Sequence, residues 1–467
     1  MSFVPTLRQV FLIVLVAALL LGAGVAVAYV VLKRPAGDLS HPEVRFEAGA
    51  PVKPKRRPID RFDWPLYGYT KDHTRVYRTP LRVDRRWRSV WRFRASALLE
   101  FPPVIYRNAL FQVADDGVIV SLGRRTGRLR WKRRLGSLAA SSPAIGGATL
   151  YVTILRRARG SGGRVVALNV RDGRVRWSRD LPSRSESSPL LHRGRVYFGS
   201  EDGTLYCLDA DSGRVIWRYR ASGAIKGSPT LAGGKLYFGD YGGHAQAVRL
   251  ADGRRVWDNG ASARVLRGGR FYATAAVAFG RVYMGSTDGR QYSFSARDGK
   301  LAWARQTGGY VYSSAAVRDV PGLGPSVFFG SYDGTFYALD ARSGALRWRH
   351  RAGGRISGAA TIIGRTVFFA DLEHRVTIGL ATVNGRVRFR RRPGAFDPVV
   401  SDGRHLFLTG TKSLQALLPA RPARRARTRK PAPRPSVSAR RLLSSPLDCA
   451  SRDTCGWGPS WAIGGGR

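Results

Sequence analysis

Five side chains of this 467-residue sequence set acid, base and phenol groups at one recurring position: Glu100, Glu186, Lys226, Tyr272 and Tyr312. Each stands just before a short phrase of small residues or proline, such as Ser187-Ser188-Pro189 or Gly227-Ser228-Pro229. Facing one another, two carboxylates, an ammonium and two phenols would orient a peptide or a small polar ligand, because concave sites set a few polar groups against a larger apolar lining. We align the same column through Ala140, Ile356 and Ala395, which add no charge. The alternative is a solvated rim in which Glu186 and Lys226 pair across neighbouring repeats, an arrangement that adds little stability.

Other chemistry is sparse. The seven histidines are scattered, with no metal-spaced pair, and there is no phosphate-cradling Gly-Lys-Ser loop. Catalysis needs acids, bases or metal ligands converging on one pocket. No catalytic or metal-ligating residue is therefore assigned. Cys207 reads as a small core residue, whereas Cys449 and Cys455, with five residues between them, would either close a small disulfide loop in an oxidising compartment or stay as free thiols.

The elements that must position the five side chains come from an internal repeat. A Gly-turn phrase ending in an aromatic residue recurs, as in Thr126-Gly127-Arg128-Leu129-Arg130-Trp131 and Ser343-Gly344-Ala345-Leu346-Arg347-Trp348. Its aromatic ends are Trp131, Trp177, Trp217, Trp257, Trp303, Trp348 and Phe389, spaced 46, 40, 40, 46, 45 and 41 residues apart. That is the period of a four-stranded propeller blade. Within a period, Glu201-Asp202-Gly203 reads as a tight hairpin turn, as do Asp116-Gly117, Asp288-Gly289 and Asp333-Gly334. These acidic turns are too poor in carboxylates for a calcium loop.

The last repeat stops at Leu418 before any tryptophan strand, and an orphan strand with Trp91 lies 40 residues before Trp131. Joining the two closes an all-β, eight-bladed propeller of four-stranded antiparallel blades, and closure removes the free sheet edges that invite aggregation. The propeller is expected over 81–418, after a linker and lead-in segment at 34–80, and is expected to be monomeric.

Both termini differ from the repeat. Val10 to Leu32 has no charged residue, and as a helix of roughly 34 Å it would span a bilayer. Residues 1–33 are read as a single-pass membrane anchor or, because Ala26-Val27-Ala28 fits a cleavage site, as a signal peptide. The formal charge is +48, with nine basic residues and no acid between Arg421 and Arg441. A tail of this composition, 419–467, reads as disordered. Its functional reading is adhesion to a polyanion such as anionic envelope polymer. Its alternative is a compositional preference for arginine. Nucleic acid is not the expected partner, since the basic residues are spread over every repeat rather than gathered with aromatics in one groove.

Leu339-Asp340-Ala341-Arg342-Ser343-Gly344-Ala345-Leu346-Arg347-Trp348 resembles the tryptophan-docking motif of the pyrroloquinoline quinone repeat, and Leu208 to Trp217 matches it equally well. Asp63-Trp64-Pro65-Leu66-Tyr67-Gly68 is similar to the segment that leads into such propellers. The resemblance implies that Trp91, Trp131, Trp177, Trp217, Trp257, Trp303, Trp348 and Phe389 dock between blades. It offers two functions. One is a dehydrogenase holding pyrroloquinoline quinone and calcium in the central funnel. The other is a cofactor-free, membrane-attached scaffold similar to the propeller of the outer-membrane protein assembly machine, which binds protein segments.

The dehydrogenase branch typically places two adjacent cysteines against the quinone, and no two cysteines here are adjacent. The expectation is therefore a membrane-tethered scaffold for protein or envelope polymer, without cofactor or catalysis. The alternatives are a quinone-dependent oxidoreductase with a divergent site and a small-ligand sensor. The basic residues Lys33, Arg34, Lys53, Lys55, Arg56 and Arg57 by themselves favour a cytoplasmic propeller. The resemblance implies an extracytoplasmic one.

Overall fold

In a computed structural model of the chain, the structure describes residues 11, 14–22, 37–48, 62–83, 86–158, 160, 162–260, 268–396 and 399–420. The repeat folds into eight sheets, each built on four antiparallel strands. Blade 3 shows the plan: Leu190–His192, Arg195–Gly199, Thr204–Asp209 and Val215–Arg220 succeed one another from the channel outward. Its second and third strands are buried almost throughout, while the outermost alternates between packed and exposed positions. Blade 8 combines Val400–Ser401, Leu406–Thr409 and Ser413–Pro419 with Trp87–Arg94 from the other end of the propeller, placing Trp91 opposite Ala416. The all-β, eight-bladed class is the one that the repeat predicts.

Blade-to-blade packing uses the Gly-turn phrase twice over. The Trp303 indole lies against Gly344 of the next blade, where a Cβ would stand 2.8 Å from the ring, and Gly344 adopts a φ of +72° that other residues rarely take. The indole N–H donates to the Ala341 carbonyl at 3.1 Å. Trp91, Trp131, Trp177, Trp217, Trp257 and Trp348 meet Gly127, Gly173, Gly213, Gly253, Gly299 and Gly385 in the same way. Phe389 packs edge-on against Trp87, at the seam where the chain's two ends meet. The seam also carries a buried ion pair, Arg124 Nε to Asp402 Oδ2 at 3.3 Å, with His405 on the same carboxylate at 2.9 Å.

The lead-in is a structural member of the propeller rather than a linker to it. Asp63–Trp64 pairs with Tyr106 and Ile105 on the inner strand of blade 1. The segment then circles the channel. Its carbonyls at Pro65, Lys71, Asp72, Thr74 and Arg75 accept hydrogen bonds from Ile145, Leu231, Val277, Val317 and Ile362 of blades 2, 4, 5, 6 and 7. Val76–Tyr77 runs parallel to the inner strand of blade 7. Inner-strand N–H groups left facing a closed lumen would go unsatisfied, and this strap supplies their acceptors. Trp64, Leu66, His73 and Arg75 are buried in the lumen.

A second upstream segment lies outside the ring. Leu39–Ser40 adds a strand to the outer edge of blade 5, and Phe46 stacks on Phe279. Further upstream, residues 14–22 are helical. Among the described residues no helix is long and apolar enough to cross a membrane, and much of Val10–Leu32 lies outside them. Cys449, Cys455 and residues 421–467 also lie outside the described residues.

Candidate functional site

Each inner strand enters the channel wall through a short stretch of small residues, and the reason is crowding, since eight strands converge there. The hydroxyls stitch neighbours together: Ser188 Oγ accepts from the Ser142 amide at 2.9 Å, Thr274 Oγ1 from Ser228 at 3.0 Å, and Ser314 Oγ from Thr274 at 3.0 Å. Two residues before this hydroxyl layer, the chain reaches the open mouth of the channel.

Glu100, Glu186, Lys226, Tyr272 and Tyr312 all line one pocket there, an open concavity of about 540 Å³ that is continuous with solvent. Its floor is Tyr67 of the strap, with Phe101 and Phe396 among its apolar walls. Tyr67 is itself fixed by Phe101, His73 and the Arg75 guanidinium, 5.1 Å from its ring centre.

Three members of the aligned column do not line the pocket: Ala140 is buried, and in blades 7 and 8 the neighbouring residue takes the place. Ile356 is fully buried in the core between blades 6 and 7, and Ser357 lines the pocket in its place. Ala395 is buried and Phe396 lines the pocket. Blades 7 and 8 lack the Ser or Thr that marks the hydroxyl layer in blades 2 to 6, so the register slips by one, and a one-residue slip exchanges a channel-facing residue for a core-facing one.

The mouth is divided by chemistry. On blades 1 to 4, Lys226 Nζ bridges Glu186 at 2.8 Å and Glu201 at 3.0 Å. Burial pulls the ammonium pKa down, but the bonds to both carboxylates outweigh it and hold the pKa above the ordinary lysine range. Burial raises the Glu186 carboxyl, with Lys226 opposing. Glu100 has no ion pair or hydrogen bond among the described residues. Its carboxyl is pushed up to about 7, by burial first and then by Glu186 and Asp115, against the pull of Lys226.

On blades 4 to 6 the rim is aromatic. Tyr241, Tyr272, Tyr312 and Tyr332 follow one another with centroids 6.4, 5.3 and 5.0 Å apart, the middle contact edge to face and the outer two tilted, and Tyr310 sits outside them. Burial lifts the phenols of Tyr272 and Tyr312, and the Glu186 and Glu100 carboxylates add to the rise at Tyr272. Three rim residues, Glu201, Tyr241 and Tyr332, escaped the sequence reading. They follow Ser200, Asp240 and Ser331 at the turn between second and third strands, so a second column set on the glycine two residues further on, Gly203, Gly243 and Gly334, would have aligned them.

The model of the family described as outer membrane protein assembly factor BamB matches residues 88–190, 161–323 and 313–420. The chain belongs to this family. Among solved structures, BamB from Moraxella catarrhalis is similar, with a TM-score of 0.58 and 19% identity, covering 71% of this chain and 98% of that one. Quinohemoprotein alcohol dehydrogenase ADHIIG from Pseudomonas putida HK5 is similar with a TM-score of 0.66 and 14% identity, covering 82% and 83% of the two chains. The enzyme of the same type from Comamonas testosteroni gives 0.65 and 13%, covering 78% and 81%. At these identities the structures share a fold with the BamB-family chain. A search of curated proteins finds no match.

The pocket does not suit pyrroloquinoline quinone and calcium. The quinone carries several carboxylates, and here it would meet Glu100 and Glu186, with the pocket's Lys226 already committed to Glu186 and to Glu201. Among the described residues no group of three His, Cys, Asp or Glu side chains is placed to hold a metal ion.

Proposed function

We propose that the protein is a non-catalytic propeller scaffold, held at a membrane through its N-terminal segment, whose channel mouth receives a protein segment or envelope polymer outside the cytoplasm. Membership of the BamB family supports a binding role. The observation that carries the reading is the asymmetry of the channel. The strap fills one end, and the other keeps a pocket with an unpaired carboxylate and a run of tyrosines. Polar groups left without partners in a concave site are suited to a ligand. The basic tail, 419–467, gives the scaffold a second contact with anionic polymer in this reading, and the propeller acts as a monomer.

The competing reading, a quinone-dependent dehydrogenase with a divergent site, is separated by calorimetric titration of the purified chain with pyrroloquinoline quinone and calcium. The expected outcome is no saturable heat and no dye-linked alcohol oxidation. Stoichiometric binding accompanied by oxidation would overturn the scaffold reading.

A further inference from the structure

We propose that the mouth binds one organic cation, an alkylammonium or guanidinium group, seated on Tyr272 and Tyr312 and against the Glu100 carboxylate. This deepens the reading of the mouth as a binding surface and rests on it.

The argument is an inventory of which charges and ring faces are already taken. Lys226 is shared by Glu186 and Glu201, so neither carboxylate lacks a cation. Its ammonium also lies 5.3 Å from the Tyr241 ring centre, and the Arg270 guanidinium stands 5.5 Å from the same ring. Arg355 covers Tyr332 at 5.8 Å while bonded to Glu373. Each outer tyrosine of the arc thus has its own internal cation. The two between them, Tyr272 and Tyr312, have none among the described residues, and their hydroxyls make no hydrogen bond.

Glu100 opens into the same pocket and is likewise unpaired. A chain with 79 lysines and arginines against 31 acids has ample means to neutralise a carboxylate, yet this one stands without a partner.

A carboxylate beside aromatic rings that carry no internal cation is the arrangement that attracts an organic cation, through charge and through the ring quadrupole together. Desolvation in a partly enclosed pocket strengthens both. Tyr67, Phe101 and Phe396 offer an apolar surface for the aliphatic stem that carries such a cation. An anion would find the reverse, since the pocket's ammonium is already bound on two sides. The cation could arrive as a lysine or arginine side chain of a protein segment or as a free small amine, and the two are separable by experiment.

The full-length chain in detergent micelles would be titrated by calorimetry with butylammonium, butylguanidinium and butyrate. The expected result is saturable single-site binding of both cations and none of butyrate. Glu100→Gln should weaken the cations by about tenfold or more, Tyr272→Leu by several-fold, and Tyr272→Phe only slightly. An unchanged tryptophan circular-dichroism spectrum reports that each variant is folded.

A lysyl tripeptide that binds more tightly than butylammonium, and loses binding on Nε-acetylation, assigns the site to a protein side chain. Equal affinities assign it to a small amine. Failure of both cations to bind, or binding indifferent to Glu100→Gln and Tyr272→Leu alike, would overturn the inference. That failure leaves the scaffold reading open to its own test, since a partner can seat on the mouth without presenting a cation.

Discussion

At one end of the channel Trp64, Leu66, His73 and Arg75 fill the lumen, and the strap takes up hydrogen bonds from the inner strands of blades 1, 2, 4, 5, 6 and 7. At the other end, five residues earlier on those strands, Glu100, Lys226, Tyr272 and Tyr312 surround an open pocket. Ile105, Leu231, Val277, Val317 and Ile362 contact the strap, and Glu100, Lys226, Tyr272, Tyr312 and Ser357, five residues earlier, are their counterparts at the mouth. The same strands therefore serve closure at one end and exposure at the other. The difference teaches that stability and binding are separable here: the strap end is built from buried area and backbone hydrogen bonds, with two nitrogens of the buried Arg75 guanidinium as its unsatisfied atoms, and the mouth keeps Glu100, Tyr272 and Tyr312 in an open pocket without hydrogen bonds among the described residues.

The sharpest way to break that comparison is at the strap. Trp64→Ala removes a side chain that is 2% exposed and packed against Tyr69 and Tyr77. Large-to-small changes of this kind cost about 3–5 kcal/mol. The expected outcome is a much lower denaturation midpoint, with the affinity of the folded fraction at the mouth unchanged. A loss of mouth affinity at constant stability would mean that the two ends are coupled.

A smaller effect sharpens the comparison from the mouth. Because burial and the neighbouring carboxylates raise the Glu100 carboxyl to about 7, the folded protein holds a proton there over a pH range in which the unfolded chain has released it. Stability contributed at Glu100 is therefore greatest at low pH and declines as pH rises from the ordinary carboxylate range through 7. Glu186, Asp115, Lys226 and Tyr272 are the charged and titratable groups that bear on this carboxyl. Denaturant titrations between pH 5 and 8 should show a decline that Glu100→Gln removes, while affinity for an alkylammonium rises over the same interval. An identical pH profile in the variant would contradict the placement of Glu100.

Much of this was legible before the structure, and the exceptions have physical causes. The blade count follows from the recurring Gly-turn phrase and from the position of Trp91, because each Trp must meet the next blade's Gly while the loops between absorb differences in length. The five polar mouth residues could be aligned wherever a Ser-Ser-Pro-like phrase marks the hydroxyl layer. In blades 7 and 8, Ser357-Gly358-Ala359 and Phe396-Asp397-Pro398 break that phrase, so the alignment lands on Ile356 and Ala395, one residue early. The strap was invisible as a strap. It bonds through backbone carbonyls, which leave no periodic side-chain pattern, and only Asp63 to Gly68 resembled anything recognisable. The turns between second and third strands align on their glycine but carry no sequence mark of a rim position, and only contacts with Lys226 and Tyr312 place Glu201, Tyr241 and Tyr332 there.

The most direct test of the central claim, that the mouth rather than the strap end receives a partner, is site-directed photo-crosslinking in cells. A photoreactive residue would replace Tyr310, which is 52% exposed at the mouth, or Asn108, exposed at the turn after the inner strand of blade 1 on the strap side. A discrete adduct from position 310 and none from 108 is the result expected. Adducts from 108 alone, or from neither position, would contradict the claim.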